Sequence, residues 1–148
     1  MEGGPASITL TPVSAADAEG LVQLRIEAMR ESLERIGRFD PVRARERFLS
    51  GFDPACTRHI EMGGQRVGFV VVKSDGDTLL LDHLYVRPAF QGRGVGASVL
   101  QDVFDQARSA GCSVKVGALR GSRSNDFYRK HGFVEVGQGE FDIYYMRP

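Results

Sequence analysis

The chain lacks an excess of charge of either sign, and it has few potential metal ligands. Nineteen lysines and arginines balance nineteen aspartates and glutamates, for a formal net charge of zero. Broad nucleic-acid binding depends on surplus basic side chains that neutralise phosphates, so we expect no nucleic-acid partner. The two cysteines and three histidines are scattered without the spacing typical of zinc ligands, so we expect no metal.

Long hydrophobic runs and a signal-peptide pattern are also missing. The longest apolar runs, VGFVVV and LLL, are far shorter than the roughly 20 residues of a membrane span. We therefore expect a cytoplasmic protein with reduced thiols and no membrane partner. The 148 residues, 42% hydrophobic and 26% charged, are typical of one globular domain, which we expect to span residues 1–148.

Local signals predict a short strand followed by two helices. Ser14 and Asp17 form a capping-box pattern with Asp in place of Glu, which predicts a helix beginning near residue 15. Gly37 ends that helix. Asp40 is suited to the N-cap position and Pro41 to the first position of a second helix.

The rest of the chain alternates between the strand and helix periods. Three antiparallel strands are predicted at residues 57–62, 65–73 and 78–86, the first two joined by a Gly-Gly hairpin turn. A helix from Val95, a strand at residues 113–119, a short helix from Ser124 and a terminal hairpin follow. Because a helix separates the strands at 78–86 and 113–119, these two should run parallel.

The fold class expected from this order is α+β. We predict a central mixed, mostly antiparallel sheet of six to seven strands, flanked by about four helices.

Three glycines alternate in the segment QGRGVG, residues 91–96, between an apolar strand and a helix. At such a helix start, free backbone N–H groups and the helix dipole favour an anion, and glycine lets a phosphate approach the main chain. The spacing differs from the dinucleotide-binding pattern G-x-G-x-x-G, and no P-loop Lys-Ser/Thr follows. A glycine-rich turn without a ligand is the alternative.

The segment LYVRPAFQGRGVGASVL resembles motif A of the GNAT superfamily of N-acetyltransferases. Gln91, Gly94 and Gly96 fill its signature [Gln/Arg]-x-x-Gly-x-[Gly/Ala]. Downstream, SNDFYRKHGF at residues 124–133 resembles motif B. The resemblance implies the GNAT fold, with the fourth and fifth strands parallel and splayed. It also implies acetyl-CoA as cosubstrate and an N-acetyltransferase that acts by direct attack of a primary amine of a small molecule or peptide.

The resemblance implies where acetyl-CoA binds. The diphosphate would lie against the backbone of the glycine loop, and the pantetheine would pair with the strand before it. Motif B often has Asn and Ala where this chain has Ser122 and Ser124, so this chain departs from the family pattern in that loop. The residues implied for the cofactor are Leu84, Tyr85, Val86, Gln91, Gly92, Arg93, Gly94, Val95, Gly96, Ala97, Ser122, Asn125 and Tyr128.

Two residues are candidates for proton transfer. Tyr128 stands where the family's general acid usually lies; the alternative is a packing residue whose hydroxyl contacts water. Asp82 is a charged residue in an apolar strand and a candidate base, acting through a water or with a raised pKa. A salt bridge between Asp82 and an arginine is an equal alternative. His83 titrates nearer neutrality, but strand alternation points it to the other face.

The acceptor site is the least defined by sequence. Glu27, Glu31 and Tyr144 are candidates for binding an amine, although a solvated helix face also explains the two glutamates. A homodimer is expected by family analogy alone. The alternative function is an acyl-CoA-binding regulatory module without turnover.

Overall fold

Seven strands and four α-helices make up the regular structure of residues 7–148, which are the residues described in a computed structural model. In chain order they are β1 (Thr9–Pro12), α1 (Ala18–Arg35), α2 (Pro41–Ser50), β2 (Thr57–Met62), β3 (Gln65–Asp75), β4 (Thr78–Val86), α3 (Val95–Ala110), β5 (Ser113–Leu119), α4 (Ser124–Lys130), β6 (Val134–Gln138) and β7 (Asp142–Arg147). The α+β class is confirmed.

Two of the predicted helix starts are confirmed in atomic detail. The backbone N–H of Ser14 donates to the carboxylate of Asp17 over 2.9 Å, as a capping box requires. This box begins a 3-10 turn, Ala15–Asp17, that leads into α1. Asp40 accepts a 3.1 Å bond from the backbone of Arg43 at the start of α2. None of the helices described within residues 7–148 is long and apolar enough to cross a membrane.

The strands form one mixed sheet in the order β1-β2-β3-β4-β5-β7-β6. β4 and β5 pair in parallel, whereas β1 with β2, β2 with β3, β5 with β7 and β6 with β7 pair antiparallel. This confirms the predicted mostly antiparallel sheet and its parallel pair. Strand β7 lies between β5 and β6, so β6 is an edge strand.

The chain divides into two compact units. The first contains the described residues up to Val71 together with His83–Val99, and the second contains Val72–Asp82 and Leu100–Pro148. The single domain expected over residues 1–148 stays a prediction, and residues 1–6 of that range lie outside the described residues.

Each unit has its own apolar core. In the first unit, Leu21, Val22 and Leu24 on α1 recur at helical spacing and pack with Phe48 and Phe69. In the second unit, alternate residues of β5 are buried, together with Tyr145 of β7 and residues of α3 and α4. Strand alternation and helix period thus place the apolar side chains as the sequence predicts.

Candidate active site

The parallel pairing of β4 with β5 covers only the first part of each strand. The paired residues run from Thr78 and Ser113 to Leu81 and Val116. Beyond this point β5 still pairs with β7, as far as Leu119. Asp82, the candidate base, is therefore the first residue of β4 after its last described pair with β5.

The glycine loop, residues 91–97, contains two glycines in the left-handed region. Gly92 has φ 77° and Gly94 has φ 80°, a conformation that residues with a Cβ rarely adopt. Gly96 has no positive φ and lies in the first turn of α3. Two of the three alternating glycines are thus required by the backbone conformation itself.

Gln91 shapes this loop through bonds within the protein. Its side-chain Nε2 donates to the carbonyl of Val86 over 2.9 Å, and its backbone N–H donates to the carbonyl of Pro88 over 3.3 Å. The first of the expected anion donors is therefore already engaged. The backbone N–H of Ser98 donates to the carbonyl of Gly94. Within residues 7–148, no backbone–backbone hydrogen bond outside the helices and strands is described for the amides of residues 92–97.

The end of β4, which the resemblance implies as the partner of pantetheine, is closely packed against β3. A Cβ built on Gly68 would lie 2.1 Å from the carbonyl oxygen of Tyr85. The backbone N–H of Arg87 donates to the carbonyl of Val67 over 2.8 Å. Leu84 and Val86 flank Tyr85, and each is partly exposed. The backbone of this segment is therefore fixed against β3.

His83 and Tyr85 belong to an aromatic cluster in the first unit. Their ring centroids are 5.6 Å apart, as expected for residues that share a face of the strand. Both rings also contact Phe69, and His83 contacts Phe48. The guanidinium of Arg25 lies 5.8 Å from the centroid of the Tyr85 ring. These contacts place His83 in a packed environment.

Asp82 forms an ion pair in the second unit. Its carboxylate lies 3.2 Å from the ammonium of Lys73, and both side chains are about one-third exposed. The sequence left two roles open for Asp82, a base or a salt bridge to an arginine. The structure contains a salt bridge, with a lysine on β3 in place of the arginine. The base role stays a prediction.

Tyr128 is held among aromatic rings of the second unit. Tyr128 is 5% exposed, and its ring centroid lies 5.3 Å from that of Phe133 and 6.4 Å from that of Tyr145. Phe127 contacts it from the preceding position on α4. The ring position is therefore well defined, and the acid role stays a prediction.

Asn125, which the resemblance implied only as a cofactor contact, has a structural role in the fold. Its Nδ2 donates to the carbonyls of Leu119 and Ser122 over 2.9 and 3.0 Å, and its Oδ1 accepts from the hydroxyl of Tyr145. These bonds join the end of β5, the following loop and β7. An asparagine in the first turn of a short helix gives little sequence signal for such a role.

The three candidate acceptor residues differ in their surroundings. Glu27 pairs with Arg87 at 3.0 Å, and Glu31 pairs with Arg35 at 3.1 Å. Both carboxylates thus already have a cationic partner. Tyr144 on β7 is 45% exposed although it is a large aromatic residue.

The sequence of residues 55–135, more than half of the chain, matches the acetyltransferase (GNAT) domain family. The chain belongs to the GNAT acetyltransferase family. This GNAT protein is therefore an acyltransferase, and its parallel β4–β5 pair and glycine loop occur in the order expected for that fold.

Solved structures agree with this GNAT fold. The PaiA N-acetyltransferase of Thermoplasma acidophilum, in complex with coenzyme A, has a TM-score of 0.71 at 19% identity, covering 95% of this chain and 98% of that chain. An acetyltransferase of Thermus thermophilus has a TM-score of 0.74 at 21% identity, covering 96% and 97%. The ribosomal-protein-S18-alanine N-acetyltransferase of Escherichia coli has 0.68 at 16% identity, covering 96% and 94%. At these identities the likeness concerns the fold.

Proposed function

We propose that this GNAT protein transfers the acetyl group of acetyl-CoA to a primary amine of a small molecule or peptide. The observation that carries the proposal is the glycine loop, in which left-handed Gly92 and Gly94 precede the N-terminus of α3. This conformation keeps Cβ atoms away from backbone donors at a positive helix end, which suits a diphosphate. A fold neighbour crystallised with coenzyme A supports it.

The backbone of the first unit would hold the cosubstrate. In this proposal the amides of residues 92–97 bind the diphosphate. The main chain of Leu84, Tyr85 and Val86 pairs with the amide groups of pantetheine, as a ligand extends a sheet. The role of Gln91 is to hold the loop in shape through Val86 and Pro88. Acetyl-CoA supplies the thioester carbonyl that the amine attacks.

Two side chains of the second unit would move protons. Asp82 accepts a proton from the acceptor ammonium, through a water. The neutral nitrogen then forms a bond to the acetyl carbon as the carbon–sulfur bond breaks. Tyr128 donates its phenolic proton to the departing thiolate. The acylated nitrogen releases its surplus proton, which returns through water to the Tyr128 phenolate, so that a neutral amide, free CoA thiol and the phenol result. The packed rings around Tyr128 support a fixed acid, because they limit the positions that its ring can take.

Three further expectations remain proposals. Cys56 and Cys112 are free thiols, which supports a cytoplasmic setting. A homodimer rests on family analogy alone. Ser122, whose hydroxyl oxygen lies 3.4 Å from Nδ2 of Asn125, would contact the phosphate or pantetheine arm.

Thermal unfolding with and without acetyl-CoA tests the cosubstrate. A ligand present at about one hundred times its dissociation constant should raise the free energy of unfolding by about 2.7 kcal/mol. A screen of primary amines for release of free CoA then tests transfer. An unchanged unfolding temperature with both acetyl-CoA and CoA would contradict the proposal.

A further inference from the structure

Asp82, Gly117 and Tyr144 share one face of the sheet in the second unit. Residues that pair directly across neighbouring strands point to the same face, and so do residues two positions apart in one strand. The pairs that define this face are Leu80 with Lys115, Lys115 with Met146, and Gly117 with Tyr144. Asp82 lies two residues beyond Leu80 in β4, so it shares the face with Gly117 and Tyr144.

This face is opposite to the one that α4 covers. Tyr145, the next residue after Tyr144 in β7, bonds to Asn125 of α4 and contacts Tyr128. Because successive strand residues point to opposite faces, the side chain of Tyr144 lies on the other side from α4. In the second unit, Tyr144 and the candidate base are thus on the same side of the sheet.

The ring of Tyr144 lies between three glycines, with Gly117 near one edge and Gly137 and Gly139 near the other. A Cβ at Gly117 would be 3.3 Å from ring atoms Cδ1 and Cε1. On the other side of the ring, a Cβ at Gly139 would be 3.0 Å from the hydroxyl, and one at Gly137 would be 4.0 Å from Cδ2. Both edges of the ring therefore lie beside glycine positions, which add no side chain, and Tyr144 is 45% exposed.

An exposed ring fixed in this way is suited to stacking against a flat apolar group. Aromatic rings attract one another beyond the effect of buried area alone, and a ring that is already held loses little freedom on binding. The exposed side chain of Val134, opposite Met146 on the same face, extends the apolar surface. We call Tyr144, together with Gly117, Gly137 and Gly139 around its ring, the tyrosine platform.

Charge and spacing connect the tyrosine platform to the candidate base. One strand, β5, lies between β4 and β7, so their backbones are about 10 Å apart as far as β4 pairs with β5, up to Leu81, the residue before Asp82. Gly117, which pairs with Tyr144, adds no side chain on this face beside the ring. If the aromatic ring of a substrate stacks on Tyr144, an amine joined to that ring by a short chain would therefore extend toward the carboxylate of Asp82.

We propose that the acceptor is a primary amine attached through a short chain to a flat aromatic ring, and that the tyrosine platform binds this ring. The inference rests on the proposed acetyl transfer and names the class of amine that the transfer uses. Asp82, whose carboxylate also pairs with Lys73, receives the ammonium end. Tyr144 contributes to substrate affinity without taking part in proton transfer.

Release of CoA with two amines tests the inference. We compare 2-phenylethylamine with n-propylamine in the wild type, Tyr144→Ala, Tyr144→Phe and Gly117→Ala. The wild type should have a KM at least about fivefold lower for the phenyl amine, the size of one aromatic contact. Tyr144→Ala should remove this preference and Tyr144→Phe should keep it. Gly117→Ala should weaken it, because the new Cβ displaces the ring.

A matched glycine control is available in α1. A Cβ built on Gly20 would have nothing within 4 Å, so Gly20→Ala should leave both KM values unchanged. Urea unfolding of each variant checks that the fold is kept. Tyr144→Ala should raise KM for the phenyl amine more than KM for propylamine, a difference that a merely structural role of Tyr144 would not predict.

Two results would overturn the inference. One is equal KM values for both amines in the wild type, or transfer to neither. The other is a lower KM for the phenyl amine that survives in Tyr144→Ala. In that case, a changed elution volume of the variant in size exclusion would mark this face as an interface between copies. Stabilisation by acetyl-CoA is measured in parallel. If it is retained, only the inference fails, and if it is absent, the proposed function itself fails.

Discussion

The hydroxyl of Tyr145 donates a 2.8 Å hydrogen bond to Oδ1 of Asn125, and both residues are buried. Through its Nδ2, Asn125 also binds the carbonyls of Leu119 and Ser122. One amide side chain therefore joins β7, the end of β5 and the first turn of α4. Tyr128 lies one helical turn further along α4, so this network fixes the helix that carries the proposed acid.

Removing the Tyr145 hydroxyl should destabilise the fold. In Tyr145→Phe, Oδ1 of Asn125 stays buried without its donor, and an unsatisfied buried polar group costs about 1–3 kcal/mol. Urea unfolding measures the loss. Tyr144→Phe is the matched control, since its hydroxyl belongs to an exposed residue, and it should change the free energy of unfolding by less than about 0.5 kcal/mol. Equal stability of the two variants would contradict this role.

Gly68→Ala should be strongly unfavourable. Its new Cβ would lie 2.1 Å from the backbone oxygen of Tyr85, so β3 and β4 would have to separate. We expect the free energy of unfolding to fall by about 1–3 kcal/mol or more. By comparison, Gly20→Ala should be neutral or stabilise by up to about 1 kcal/mol, because alanine favours a helix. A Gly68→Ala protein as stable as the wild type would show that the two strands are not held this closely.

Asp17 should make stability fall in acid. The backbone N–H of Ser14, and next the side chain of His59, lower the pKa of Asp17 from 3.8 to about 2. Because this folded value is below the unfolded one, the stabilisation is complete above about pH 4 and is lost as the pH falls toward 2. Urea unfolding at about pH 5 and about pH 2.5 measures the difference.

Two variants separate the causes of this acid effect. Asp17→Asn should reduce the loss of stability across the window, since the titrating group is gone. Ser14→Ala keeps the backbone donor that lowers the pKa most, so it should retain most of the loss. A wild type and an Asp17→Asn variant with the same change in stability across the window would refute the assignment.

Much of the fold follows from local sequence signals. The Asp40–Pro41 pair predicts the start of α2, and Gly63 and Gly64 predict the turn between β2 and β3, where both have positive φ. The parallel pairing of β4 and β5 follows from the helix between them. These features depend on neighbouring residues, which a single sequence contains.

The features that sequence did not predict depend on residues distant in the chain. The position of β7 between β5 and β6 is a matter of strand pairing, which alternation does not specify. Likewise the pairing of Asp82 with Lys73, and the use of Asn125 by Tyr145, depend on tertiary contacts. The glycines under Tyr144 appear in sequence as unrelated loop and strand residues. Only the folded sheet brings them together.

Tyr128→Phe tests the proposed acid. The substitution removes the phenolic proton and retains the ring contacts with Phe133 and Tyr145. We expect kcat to fall by about 10²–10⁴-fold, the usual contribution of a general acid, while stabilisation by CoA is kept. Steady-state release of CoA and thermal unfolding measure the two effects. Unchanged kcat would exclude Tyr128 as the acid.

We propose that backbone amides of the glycine loop bind the diphosphate of CoA. Titration of ¹⁵N-labelled protein with CoA, followed by amide NMR, tests it most directly. We expect the amide resonances of Gly92, Gly94 and Gly96 to shift with CoA while those of Gly63 and Gly64, in the β2–β3 turn, do not. Binding of CoA that leaves the three loop glycines unshifted would contradict the account.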